Sequence, residues 1–203
     1  MLLFSFMNRF EQALIANMGS FDLDLSPQTV TQLGEFYSLL TRWNERLHLV
    51  APCEPEDFAI RHVLESLLLL KHLPLGARVA DIGSGGGLPI IPCLIARPDL
   101  EATLIESSQK KSVFLREALK QLGLAGEVFQ RPFEEVEPLA VSFVTCRALD
   151  QFMQKLPALI KWAPAGSTLL LFGGEALGEK LEKNFDKLLI PHSERRYLYL
   201  ATH

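Results

Sequence analysis

The sequence predicts an α/β protein in which a mostly parallel sheet follows an N-terminal helical cap. Apolar residues recur at helical spacing through the first third of the 203-residue chain. After residue 76 short apolar runs alternate with amphipathic stretches, the rhythm of βαβ units. The first of those runs passes through a glycine-rich turn into a helix. The expected division is a cap over residues 1–75 and a ligand-binding domain over 76–203.

In the cap, Ser26 precedes Pro27 as an N-cap does, and proline at the first helical position loses no needed donor. Leu33, Phe36, Tyr37, Leu40, Trp43 and Leu47 then follow at steps of three and four, one apolar stripe in which Trp43 reads as core. A second helical stretch begins near Pro55, with Glu56 and Asp57 suited to the positive end of a helix dipole, and runs through Ile60, Val63, Leu64 and Leu67 until Pro74 and Gly76. The strand runs are Arg78 to Ile82, Ala102 to Ile105, Glu127 to Gln130, Val141 to Cys146 and Thr168 to Phe172. Helical patterns fall around residues 89–97, 109–122, 150–162 and 175–187. Tyr197 to Ala201 alternates and predicts a last strand, antiparallel in a hairpin with Leu188 to Ile190.

Composition narrows the function classes. A hydrophobic share of 48% and a charged share of 22% argue against long disorder and coiled coils. A net charge of -4 gives no general attraction to phosphate, so any nucleic-acid contact has to be local. Cys53, Cys93 and Cys146 are far apart and form no CxxC pair, which points to a reducing cytoplasm and to no zinc site or other metal. Met1 to Phe6 are too few for a secretory signal, and the run Leu67 to Leu70 is far short of the roughly twenty residues of a membrane span. A soluble monomer without membrane partners is expected.

The strongest motif is Val79-Ala80-Asp81-Ile82-Gly83-Ser84-Gly85-Gly86-Gly87-Leu88-Pro89. Glycines at 83, 85 and 87 let a ligand lie against backbone, and Pro89 starts the helix, with Pro92 tolerable in its first turn. A dinucleotide fingerprint would place its third glycine where Leu88 stands, and no Lys-Ser/Thr ending marks a phosphate loop, so a ligand without pyrophosphate fits better. Glu106 ends the second strand 19 residues past Gly87, where a carboxylate can accept from both hydroxyls of a ribose. Taken singly, the turn could be a tight connection, Asp81 a helix cap and Glu106 a solvated strand end. Their joint placement after consecutive strands favours a ligand crevice.

These residues carry a resemblance to the RsmG (GidB) family of small-subunit (16S) ribosomal RNA guanine-N7 methyltransferases. It spans nearly the whole chain: Trp43-Asn44, Ile60-Arg61-His62-Val63-Leu64-Glu65-Ser66, Gly83 through Pro92, Glu106-Ser107, Lys110-Lys111, Phe114-Leu115, Phe133-Glu134-Glu135 and Cys146-Arg147-Ala148. The resemblance implies a class I methyltransferase (Rossmann-like) fold with S-adenosylmethionine (S-adenosyl-L-methionine) as cofactor, and 16S ribosomal RNA or the small ribosomal subunit as partner. It further implies that Gly83 and Leu88 contact the cofactor, that Glu106 holds its ribose, that Phe133 and Glu134 flank its adenine, and that Arg147 lies at the methionine end where the target base enters. Asp81, Gly85 and Gly87 complete the expected cofactor loop, and Arg61 and His62 join Arg147 on the substrate side. The chain departs from the family pattern at His48 and Val50, where Asn and Thr are usual, at Glu65 in place of Asp, and at Gly173 in place of Lys.

Guanine N7 is nucleophilic without first losing a proton, so such an enzyme need only align it, and the absence of an obvious catalytic dyad is expected. Arg147 could then bond the O6 edge or guide the phosphate backbone, or simply pair with a carboxylate such as Asp150. His62 reads either as a packing histidine or, with Arg61, as a residue orienting a loop over the cofactor. Arg42, Arg46, Arg61, Lys110, Lys111, Arg116, Arg195 and Arg196 are candidate RNA contacts. The competing readings are a small-molecule methyltransferase and a nonenzymatic S-adenosylmethionine-binding sensor or assembly factor; a nicotinamide oxidoreductase is disfavoured by Leu88.

Overall fold

The computed structural model describes residues 8–147, 149, 151–181 and 185–203. Helix α1 (Arg9–Asn17) starts on a capping box: Asn8 accepts from the Glu11 N–H while the Glu11 carboxylate accepts from the Asn8 N–H. Helix α2 (Pro27–Leu47) starts where Ser26 Oγ accepts from the Thr29 N–H at 3.1 Å, and it buries Leu33, Phe36 and Leu40, with Tyr37, Trp43 and Leu47 packed alongside. Trp43 tilts against Phe114, consistent with a core role. The second cap stretch is continuous but not uniform. It runs as α3 (Pro55–Phe58), a π-helical turn over Ala59–Leu64, α4 (Glu65–Leu67) and a 3-10 turn over Leu68–His72.

Seven strands follow: β1 (Arg78–Ile82), β2 (Glu101–Ile105), β3 (Glu127–Phe129), β4 (Phe143–Arg147), β5 (Thr168–Gly173), β6 (Asp186–Leu189) and β7 (Tyr197–Thr202). Their order is β3-β2-β1-β4-β5-β7-β6. The first five pair in parallel, β7 runs antiparallel to β5, and β6 and β7 form the expected hairpin. The strand order reverses between β1 and β4, and a crevice opens there at the carboxyl ends.

The connecting helices are α5 (Ile90–Ala96), α6 (Gln109–Gln121), α7 (Phe152–Trp162) and α8 (Glu175–Lys180). Several boundaries shift by one or two residues, among them β4, which runs over Phe143–Arg147 rather than Val141–Cys146, and α8 differs by more. Pro89 is the N-cap of α5 and the helix begins at Ile90. The helix expected over 175–187 ends at Lys180, because Asp186–Leu189 is taken into the β6–β7 hairpin, whose backbone pairing outweighs helical periodicity there. The apolar segment 1–6, Asp150 and Ala148 lie outside the described residues.

Alternate strand residues point to opposite faces, so the sheet separates two apolar layers. In β5, Leu170 and Phe172 join the layer shared with Phe10, Phe36, Phe58, Leu64, Ile91 and Phe114, while Leu169 and Leu171 join Ile82, Phe133, Leu156, Trp162 and Tyr199. The N-terminal helices thus share one core with α5 and α6 on a single face of the sheet. Among the described residues, no helix is long and apolar enough to cross a membrane, and no His/Cys/Asp/Glu group could hold a metal ion.

Candidate functional site

The glycine turn bends over the end of β2: the N–H groups of Gly83 and Ser84 both donate to the Ile105 carbonyl, at 2.8 and 3.2 Å. Gly83 has φ 71°, and a Cβ there would lie 2.5 Å from Leu149 Cδ1. A side chain at this position would thus collide with Leu149, and the turn's backbone lines a cavity of about 500 Å³, within the range of small-molecule sites. Gly83, Gly85 and Leu88 line it on the β1 side, Glu106 at the end of β2, and Phe133 and Glu134 beyond β3. Arg147 and His62 line its other end, and Leu49, Val50 and Ala51 reach in from the cap.

Glu106 is almost fully buried and already oriented. Its Oε2 accepts from the Gly85 N–H at 2.9 Å and its Oε1 from the Ser108 N–H at 2.7 Å. Each carboxylate oxygen has a further lone pair, so both can still accept from vicinal hydroxyls of a ribose. Phe133 is held edge-on against Trp162, whose indole N–H donates to the Val136 carbonyl at 2.7 Å. Glu134 is exposed and pairs with Lys155 at 3.8 Å. Asn44 holds the cap loop by two bonds: its Nδ2 donates to the Val50 carbonyl at 3.0 Å, and its Oδ1 accepts from the Val50 N–H at 2.9 Å. His48 ends α2 in the left-handed region at φ 49°, a conformation that asparagine adopts at lower cost.

Three expected site residues are not at the cavity wall. Gly87 lies behind it, because its α-carbon faces Ile91, whose Cδ1 would be 2.3 Å from an added Cβ. The Arg61 side chain is exposed, and only its carbonyl turns inward. Asp81 is fully buried beneath the glycine turn, with neither carboxylate oxygen hydrogen-bonded; Ser84 Oγ donates to the Asp81 carbonyl instead. Burial pushes the Asp81 carboxyl up to about 8, against the opposing influence of Ser84 and with a further push from Glu106.

Arg147 does not need Asp150. Glu65, itself 1% exposed, lies with Oε2 3.2 Å from Arg147 Nη2 and Oε1 2.5 Å from Arg196 Nη1. The π-helical turn leaves carbonyls without their usual i+4 partner, and Arg147 takes them. Nη2 donates to the Arg61 carbonyl and to Glu65; Nη1 donates to the His62 carbonyl and to Ser66 Oγ, each at 3.3 Å. All four terminal N–H groups are thus committed within the protein, and the expected bond from them to a base O6 is not available in this arrangement. Burial raises the Glu65 carboxyl, while Arg147, Arg196 and Arg61 oppose that rise.

His62 stands half-buried against the Phe58 ring, with centroids 5.0 Å apart. Burial, reinforced by Arg147, Arg61 and Arg196, lowers it to about 4, so the imidazole is neutral at physiological pH. Residues that sequence reasoning missed include Ser108, Leu49 and Glu65 in its clamping role. The signal for Glu65 was present: a carboxylate and a serine interrupt the apolar run from Val63 to Leu70. Nothing local marks Leu49 as a cavity residue.

A family model described as rRNA small subunit methyltransferase G (GidB) matches residues 29–198. A ribosomal RNA small subunit methyltransferase G of Sorangium cellulosum is 36% identical over 179 residues, covering 83% of this chain and 74% of that protein. One of Ruegeria pomeroyi is 32% identical over 164 residues, covering 79% and 80%. Among solved structures, a SAM dependent methyltransferase from Aquifex aeolicus matches with TM-score 0.59 at 14% identity, covering 82% of this chain and 98% of that one. An RNA methyltransferase from Salinibacter ruber, in complex with S-adenosyl-L-homocysteine, matches with TM-score 0.55 at 18% identity, covering 75% and 93%. At such identities the likeness is one of fold, and that fold is the class I methyltransferase sheet.

Proposed function

The chain belongs to the small-subunit ribosomal RNA methyltransferase G (GidB) family, and on that premise we propose that it methylates N7 of a guanine in 16S ribosomal RNA with S-adenosylmethionine as methyl donor. The observation that carries the cofactor assignment is the cradle formed by the glycine turn and Glu106: Gly83 and Gly85 line the cavity beside a buried carboxylate with free lone pairs. The donor set fits an adenosine. Glu106 would hold the ribose, Phe133 and Glu134 would flank the adenine, and Gly83, Gly85 and Leu88 would face the amino-acid portion. The substrate side falls to His62 and Arg147, with the helices of the N-terminal cap beside it.

When bound, the cofactor supplies an electrophilic methyl on a positively charged sulfur, and the departing sulfur keeps the bonding electron pair. The protein's task is placement. The in-plane lone pair of N7 attacks without prior proton loss, so no general base is required, and holding the two reactants in line can supply most of the rate enhancement. The glycine wall and Glu106 fix one reactant, and the end of the cavity bounded by His62, Arg147 and the 49–51 loop receives the other. We further propose that it works as a monomer in the cytoplasm, where its ribosomal substrate is found.

The test is incubation with radiolabelled S-adenosylmethionine and either small ribosomal subunits or naked RNA, followed by mass spectrometry of the digested RNA. Label recovered as 7-methylguanosine is the expected result. Label on another atom would refute the target, turnover on small molecules without RNA would favour a small-molecule enzyme, and cofactor binding without transfer would favour a sensor.

A further inference from the structure

We propose that His62 reads the substrate base, donating one imidazole N–H to guanine O6 so that the neighbouring N7 lone pair stays free for methyl transfer. This rests on the guanine-N7 reading above and adds the residue and the mode of recognition.

The argument begins with what guanine shows on this edge: O6 and N7 are adjacent acceptors. A free arginine fork would bond both at once and cover the nucleophile. Recognition compatible with N7 methylation needs a donor directed at O6 alone. Arg147 is the obvious cation at this end of the cavity, yet its four terminal N–H groups go to Arg61, His62, Glu65 and Ser66. His62 is the opposite case. It lines the cavity, and neither ring nitrogen has a hydrogen-bond partner among the described residues. Its ring plane is set by Phe58, and its carbonyl is anchored by Arg147 and by Ser66 Oγ.

Charge supports the same assignment. The groups around His62 are Arg61 on its own π-helical turn, Arg147 from β4 and Arg196 from the loop before β7, all of which disfavour an imidazolium. The carboxylate that could have stabilised one, Glu65 on the following turn, is taken up by Arg147 and Arg196. A neutral imidazole retains one donor and one acceptor. Positive charge passes from sulfur to the base during transfer, and a neutral donor at O6 does not oppose it as an imidazolium would.

Three measurements on the full chain test this. For His62→Ala, kcat/KM toward small subunits should fall about 10–100-fold, the size of one lost base contact, while the S-adenosylmethionine Kd from calorimetry stays within about twofold. His62→Gln, which keeps a neutral N–H donor, should recover most of the loss. Wild-type kcat/KM should show no limb near the ordinary histidine pKa of about 6.5. Full activity in His62→Ala, or loss of cofactor binding in parallel with activity, would overturn the inference, as would a limb that disappears in His62→Gln. If His62→Ala does not fold, the glutamine variant and the pH profile still decide. A wild-type protein that methylates no guanine would sink the function reading itself, whereas an active wild type with an equally active His62→Ala sinks only the role of His62.

Discussion

Asp81→Asn should separate one buried ionisation from everything else that titrates. The folded protein holds the Asp81 carboxyl at about 8, against 3.8 for an unperturbed one, because burial removes water and outweighs the opposing influence of Ser84. A carboxyl raised in the folded state contributes stability fully below the unfolded pKa near 4, and that contribution is lost as pH rises through about 8. Between those limits the folded chain holds one more proton than the unfolded chain, so its stability falls by about 1.4 kcal/mol per pH unit. From pH 5 to 7 this amounts to about 3 kcal/mol, or about 6–12 °C in Tm for a chain of this size. Asparagine does not titrate. The Tm difference between Asp81→Asn and wild type, both ligand-free, should therefore shift in favour of the variant by about 6–12 °C between pH 5 and pH 7. Calorimetric melts at the two pH values give the answer, and taking the difference cancels all groups common to both proteins. A difference that stays constant within about 1 °C would refute the claim that the buried Asp81 carries its proton at neutral pH.

Other outcomes follow from the same geometry. Glu106→Gln should weaken S-adenosylmethionine binding about 10–100-fold by calorimetry, because the amide NH₂ must oppose either the Gly85 or the Ser108 N–H and leaves one fewer acceptor for the ribose; unchanged affinity would remove Glu106 from the site. Gly87→Ala should lower Tm by about 4–16 °C, corresponding to about 2–4 kcal/mol, since φ is 77° and Ile91 occupies the space of the new methyl. A wild-type Tm in that variant would mean that the turn relaxes freely.

Much of this fold is legible along the chain because its signals are local. The Ser26 cap, the Pro55 start, the apolar runs and the β6–β7 hairpin each depend on neighbours in sequence. Where expectation slipped, a longer-range interaction had intervened: α8 stops at Lys180 because later residues pair with β7. This wall of the cavity was readable for the same reason, since Gly83, Gly85 and Leu88 sit within six residues and Glu106 at the next strand end. Asp81 and Gly87 belong to that motif, but their side of the backbone faces inward, and spacing alone does not tell a lining residue from a supporting one.

The other end of the cavity, bounded by His62 and Arg147, is different in kind. From sequence, Arg147 was a free cation near a carboxylate at 150, Glu65 a departure from a family pattern, and His62 one histidine on a helix. Folding brings Glu65, Arg147 and Arg196 together from three distant segments and sets them around a π-helical turn whose carbonyls absorb the guanidinium donors. That contact spends Arg147 and leaves His62 neutral at the cavity wall, its ring nitrogens without a hydrogen-bond partner among the described residues. By itself the sequence determined the sheet, the glycine turn and the carboxylate at the end of β2, because backbone conformation and periodicity are encoded by near neighbours. Only the tertiary structure decided which polar groups remain available to a substrate, because hydrogen-bond capacity and ionisation depend on which groups from remote segments come within a few ångströms of one another.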